Sequence, residues 1–213
     1  MDKESIVVIG REYGSGGREI GRLVADGLGL PYYDRELLSE AARRHGLSAD
    51  LFATADERRP SALRSLFECA YCVPDTYGPS ALSREGIYKA QSDVIRSICA
   101  EGGAVIVGRT ADYVMRDHPK LLSVFIHASD DTRAARIIAR GEASDPREAL
   151  ELARRRDRRR EEYYNYFTGR RWGHASTYHL SFDASRLPTA AIAELIVRAC
   201  AEKRKNEGSP ATG

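Results

Sequence analysis

The sequence predicts an α/β fold, a three-layer sandwich built on a parallel sheet, and three observations carry that expectation. The runs Ile6-Val7-Val8-Ile9 and Ala104-Val105-Ile106-Val107 are continuously apolar and mostly β-branched, the character of strands buried on both faces. Segments of helical spacing separate the strand-like runs, which is the alternation that builds parallel sheets. A glycine loop, with glycines at 10, 14, 16 and 17, joins the first run to an amphipathic segment carrying Ile20, Leu23, Val24 and Leu28.

In chain order, the first strand and first helix are followed by a short strand at Leu30-Pro31-Tyr32-Tyr33. Asp34-Arg35-Glu36 then opens a second helix, with Leu37, Leu38, Ala41 and Ala42 as its buried face. Residues about 50 to 85 are interrupted by Pro60, Pro74, Gly78 and Pro79 and read as a helical excursion. A stronger helix covers about 84–101 and stops at Gly102-Gly103. After strand 104–107 comes another strand from Leu121 to Ala128, then a helix carrying Arg133 and Arg136. Of those two arginines, one is expected to face the site and the other solvent. A highly charged helix spans about 146–163, a last strand Tyr178 to Phe182, and a closing helix 188–204. The organisation expected is one domain over 1–204, with an acceptor-side helical region at about 34–101, a lid at about 146–176 and a flexible tail at 205–213.

With 213 residues, 42% of them hydrophobic, the chain fills one sizeable domain and hardly two. A net charge of +2 argues against a dedicated nucleic-acid binder. No apolar stretch is long enough to span a membrane. The strand starting at Ile6 leaves no room for a leader, so the cytoplasm and reduced thiols are expected for the four cysteines. Cys69 and Cys72 have metal or redox spacing without a second pair, and read as neighbours on a helix.

The loop from 10 to 17 suits phosphate, because glycines let main-chain N–H groups turn inward and the following helix adds its dipole. It is not a standard P-loop. The pattern G-x4-G-K-[ST] asks for glycine at 11, lysine at 17 and a hydroxyl at 18, where Arg11, Gly17 and Arg18 stand. Candidate contacts to a triphosphate are Arg11, Gly14, Ser15, Gly16, Gly17, Arg18 and Glu19, with Arg18 the candidate for the missing lysine charge. Right-handed crossovers bring this loop, Asp34-Arg35, Gly108-Arg109 and Ser129 to one sheet edge, where ligands of such sheets bind. The run Arg154 to Arg160 reads as a lid, a solvated helix face or a nucleic-acid patch. Arginines that close over a transferring phosphoryl group act on rate by factors on the order of 10³–10⁵.

The chain resembles the cytidylate kinase-like family, a branch of the nucleoside monophosphate kinases with the P-loop fold. The resemblance rests on Arg11 to Gly21, Tyr33-Asp34-Arg35, Val105 to Arg109 with Asp112-Tyr113, and Tyr163 to Gly169 with Trp172-Gly173. It implies a P-loop nucleoside kinase with a helical lid, using ATP and Mg²⁺ on a small nucleotide. Arg18, Arg109, Arg156 and Arg160 would neutralise the transferring charge. Asp34, Arg35, Arg84, Gln91 and Arg109 would hold the acceptor, although Glu40 stands where the resembled enzymes carry an arginine. Glu19 falls on their metal-binding threonine, so no metal ligand is assigned. CMP or dCMP is the acceptor the resemblance implies. Transfer to another small metabolite, nucleotide sensing without catalysis, and RNA binding are the competing expectations.

Overall fold

The computed structural model describes residues 4–34 and 84–207, and within 84–207 the side chains of Arg84, Ile87 and residues 204–207 are excepted. The expected second helix, Arg35, Glu40, nearly all of the 50–85 excursion, the Cys69/Cys72 pair and the tail beyond 207 lie outside the described residues. Among those described, Cys99 and Cys200 are in no disulfide, and burial pushes the Cys99 thiol up to about 12.

Five strands make one parallel sheet in the order β2-β3-β1-β4-β5: β1 (Ile6–Arg11), β2 (Tyr32–Tyr33), β3 (Ala104–Val107), β4 (Leu121–His127) and β5 (Leu180–Asp183). Central β1 pairs Ile6 with Ala104 on one side and with Leu121 on the other, so its apolar run is covered in the plane as well as on both faces. Alternate residues feed two cores. Ile6, Val8 and Ile106 pack with Val94, Ile95 and Ile98 of α2 (Arg84–Glu101) and with α3 (Ala111–Val114). Val7, Ile9, Val105 and Val107 pack with α1 (Gly17–Leu28) and with Ile192 and Ile196 of α6 (Thr189–Glu207). This is the expected sandwich. The chain leaving β1 turns to the α1 face, whereas its neighbours β3 and β4 lead to the other, which opens a crevice at the strands' C-terminal ends.

Two helices complete the second face. The α4 helix (Asp130–Ala139) is capped by the Ser129 hydroxyl, and α5 (Pro146–Thr168) by Asp145 with a proline in its first turn. Ala134, Ile137, Ala149 and Ala153 form the small apolar seam between them. The α5 helix runs five residues past the expected end. Tyr163 and Tyr164 belong to its buried face, and Gly169 closes it with a left-handed φ of 65°. Among the described residues no helix is long and apolar enough to cross a membrane.

Candidate functional site

The phosphate loop connects β1 to α1 at the crevice. Gly14 has φ 83°, and a Cβ there would lie 2.9 Å from the carbonyl oxygen of Arg133, so the position needs glycine on both counts. Gly16, the residue before α1, provides no side-chain cap, which leaves the first-turn N–H groups of Gly17, Arg18 and Glu19 without a side-chain acceptor from the capping position. By contrast α4 and α5 both carry side-chain caps. An uncapped helix start at the C-terminal end of a central parallel strand fits a phosphate group.

The loop is held from outside by α4 and α5. Arg133 Nε donates to the Tyr13 carbonyl at 2.8 Å, and Asp157 Oδ1 accepts the Tyr13 N–H at 2.8 Å. Arg133 also pairs with Asp157 itself, and its Nη1 lies 3.5 Å from Glu12 Oε2. Arg136 Nη1 donates to the Ser15 carbonyl at 2.6 Å and packs on Gly16. Both arginines therefore grip the loop, which corrects the expectation that one would face solvent. The Ser15 hydroxyl donates to the Glu12 carbonyl at 2.9 Å, and Glu12 accepts the Ala128 N–H at 3.1 Å. Burial raises the pKa of Glu12 and of Asp157, against the lowering effect of the neighbouring arginines and N–H donors.

A cavity of about 20 Å³ lies between the ends of β1 and β3. Arg11, Arg109 and Arg160 line it together with Asp112. Its aromatic wall is made by Tyr163, Tyr164, Trp172 and Tyr178. Arg109 is buried, on a backbone with φ 66°, and Thr110 follows at φ 54°. Two consecutive non-glycine residues in the left-handed region are a strained turn, of the kind that recurs at binding sites. The Tyr164 hydroxyl donates to Asp112 Oδ2 at 2.5 Å, and Tyr163 donates to Gln91 Oε1 at 3.2 Å. Burial raises the pKa of the Asp112 carboxyl, with the Tyr164 hydroxyl and Arg170 opposing. Gln91 is buried, and its Nε2 has no hydrogen-bond partner among the described residues.

Arg18 is exposed on the first turn of α1, and its charge is felt by Tyr32. The side chain that crosses Gly17 is instead Arg11, whose Cβ and Cγ lie 2.7 and 3.0 Å from where a Gly17 Cβ would be. Glu19 accepts a hydrogen bond from the Thr189 hydroxyl at 2.7 Å. The described residues offer no cluster of His, Cys, Asp or Glu able to hold a metal. Asp34 is buried at the end of β2. Among the arginines of the expected lid, Arg160 lines the cavity, while Arg156 and Arg160 both lie over the Tyr13 ring, 5.5 and 5.2 Å from its centroid. Their helix is packed through Tyr163 into the core shared with α2 and α3, and tied to the loop through Asp157.

Sequence reasoning missed Asp157, Asp112 and the aromatic wall as parts of one site. The signal for the wall was present, since Tyr163, Tyr164 and Trp172 stand in the family-like segments. Nothing marked Asp157 within its run of arginines.

No curated protein matches the chain. Solved structures share its fold over nearly the whole length. An uncharacterized protein from Eubacterium ventriosum is 24% identical, covering 92% of this chain and 98% of its own, with a TM-score of 0.69. A gluconokinase from Sinorhizobium meliloti is 16% identical, with 97% of each chain covered and a TM-score of 0.56. A shikimate kinase from Bacteroides thetaiotaomicron is 14% identical, covering 94% and 98%, with a TM-score of 0.51. The fold is thus that of the P-loop kinases. The cytidylate kinase-like family matches residues 6–186, and the chain belongs to that family.

Proposed function

We propose that the protein is a nucleotide kinase, transferring the γ-phosphoryl group of ATP to a nucleoside monophosphate, with CMP or dCMP the acceptor its family suggests. One observation carries this reading: at the C-terminal edge of the sheet, beside the uncapped start of α1, three arginines from the end of β1, the turn after β3 and α5 line one cavity. So much positive charge suits a phosphoryl group in flight better than a neutral ligand.

ATP fits the loop, because the first-turn N–H groups of α1 are available to its phosphates. When bound it supplies the phosphoryl group and a diphosphate leaving group. Arg109, fixed by its left-handed turn, would hold the acceptor phosphate, and Arg160 would bridge acceptor and donor from α5. The acceptor's phosphate oxygen is already ionised at neutral pH, so no side chain has to remove a proton. Positioning and charge neutralisation are the protein's contribution. Mg²⁺ does not fit a protein-held site among the described residues, since position 18 lacks a hydroxyl and Glu19 is engaged by Thr189. No step here runs through a metal held by the protein.

The state of Glu19 also favours a second reading, a nucleotide sensor without turnover. A coupled assay with ATP and Mg²⁺ against CMP, dCMP, UMP, AMP and GMP separates the two, run beside thermal shifts with the same ligands. Turnover of one monophosphate supports the kinase. Stabilisation by ATP with no turnover on any acceptor supports the sensor.

A further inference from the structure

The departures from the standard phosphate loop at positions 11 and 17 are two halves of one change. The standard pattern places glycine first and lysine seventh. Here arginine stands first, at 11, and glycine seventh, at 17. The Arg11 side chain leaves the end of β1 and passes directly over Gly17, where any Cβ would lie 2.7 Å from its own Cβ and 3.0 Å from its Cγ. Its guanidinium then reaches the end of β3, where a Cβ on Gly108 would lie 2.1 Å from Nη1 and 3.2 Å from Cζ. A real Cβ is essentially never found within 3.0 Å of another heavy atom; at Gly108, where the crowding atom is the movable end of the side chain, a φ of 82° also favours glycine. Gly17 makes room for the stem and Gly108 for the head, and the head borders the cavity between β1 and β3.

We infer that Arg11 is the phosphate-loop cation of this protein, reaching from the first loop position across the space a lysine at 17 would leave by. The ligand it takes is the β- and γ-phosphate oxygens of a nucleoside triphosphate. A guanidinium stays charged at any working pH and forks onto two oxygens, whereas an ammonium meets them as a point charge. The inference rests on the phosphoryl-donor reading above, and it moves the role from exposed Arg18 to Arg11. It also gives Gly17 a reason to be glycine that the pattern alone does not.

The test is a cycle of MgATP affinities, measured by titration calorimetry on the full chain with ligand-free melting curves as the fold check. Arg11→Met keeps the stem over Gly17 and removes the charge. It should bind MgATP at least about tenfold more weakly while melting close to the wild type. Gly17→Lys alone should also weaken binding, since the new side chain collides with the Arg11 stem. Arg11→Gly with Gly17→Lys rebuilds the standard arrangement and should return to within a few-fold of wild-type affinity. Wild-type affinity in Arg11→Met, or the whole loss appearing in Arg18→Met instead, would overturn the assignment to Arg11. A folded double variant that binds no better than Gly17→Lys alone would overturn the exchange. Failure of the wild-type chain itself to bind MgATP would overturn the donor-site reading, and this inference with it.

Discussion

Asp157 on α5 accepts the main-chain N–H of Tyr13, in the middle of the phosphate loop, at 2.8 Å. The same carboxylate pairs with Arg133 and takes a hydrogen bond from Arg160 at 2.9 Å. One acidic group therefore sets the loop, the arginine that grips the loop's carbonyl, and an arginine of the cavity.

Asp157→Ala should cost about 3 kcal/mol of stability, because it leaves the Arg133 guanidinium, 8% exposed, without its principal counter-charge. Urea unfolding measures this. Asp157→Asn keeps an acceptor for the Tyr13 N–H and should cost less than the alanine variant. Equal losses would mean that charge pairing matters here and the loop hydrogen bond does not.

Asp112 gives a pH signature. Burial raises its pKa above the ordinary 3.8, with the Tyr164 hydroxyl and Arg170 opposing. The folded protein then holds a proton that the unfolded chain has released, so stability falls as pH rises from 3.8 through the raised value. Asp112→Asn carries no such proton, and its amide oxygen can still accept from Tyr164. Its stability relative to the wild type should climb through that window and stay flat below it. Urea midpoints for both proteins between about pH 3 and pH 8 measure the difference. A constant offset over the whole range would show that Asp112 ionises normally.

Most of the architecture was legible in the sequence, because both strong strands are apolar without interruption and the longer helices have a recognisable start or stop; the short α3 had no such signal. What was not legible depends on meetings in space. Arg11 gains its place from Gly17 and Gly108, and Gly108 follows a strand far along the chain. Arg133 and Arg136 share a helix, but whether both turn inward depends on where the loop carbonyls sit. The sequence places the end of α5 too early because the segment from Tyr163 to Gly173 reads as aromatic and glycine-punctuated. In the structure Tyr163 and Phe167 pack on the core shared with α2 and α3, with Tyr88 stacked on Phe167 at 4.3 Å, and that burial carries the helix on to Thr168.

The turn after β3 makes a conformational prediction. Thr110 is β-branched, buried and held at φ 54°, a region that costs such a residue about 1–2 kcal/mol. Thr110→Gly removes that cost but adds freedom to the unfolded chain and, like Thr110→Val, loses the hydroxyl bonded to the Arg109 carbonyl, so it should be less destabilising than the valine variant. Thr110→Val keeps the branching and loses the hydroxyl bonded to the Arg109 carbonyl at 2.5 Å, and should destabilise by about 1–2 kcal/mol. Thermal melts of the two variants compare them directly. A glycine variant worse than the valine one would show that the left-handed turn carries no strain.

The last prediction separates chemistry from scaffold on α5. Arg160 Nη1 is bonded to Asp157 and lies 3.5 Å from the Arg11 carbonyl, with its side chain 16% exposed at the cavity. Arg158, two residues earlier, is exposed. If the helix contributed only a diffuse positive field, loss of either charge would slow transfer about equally, and salt would erase the difference. A directed contact behaves otherwise. Arg160→Met should lower kcat for phosphoryl transfer by roughly 10²–10³ with a modest change in melting temperature. Arg158→Met should stay within about twofold of wild type, as solvent-exposed charges do. Equal effects in a steady-state comparison at two salt concentrations would return the arginine run to a solvated face, leaving Arg109 and the loop to carry the transfer.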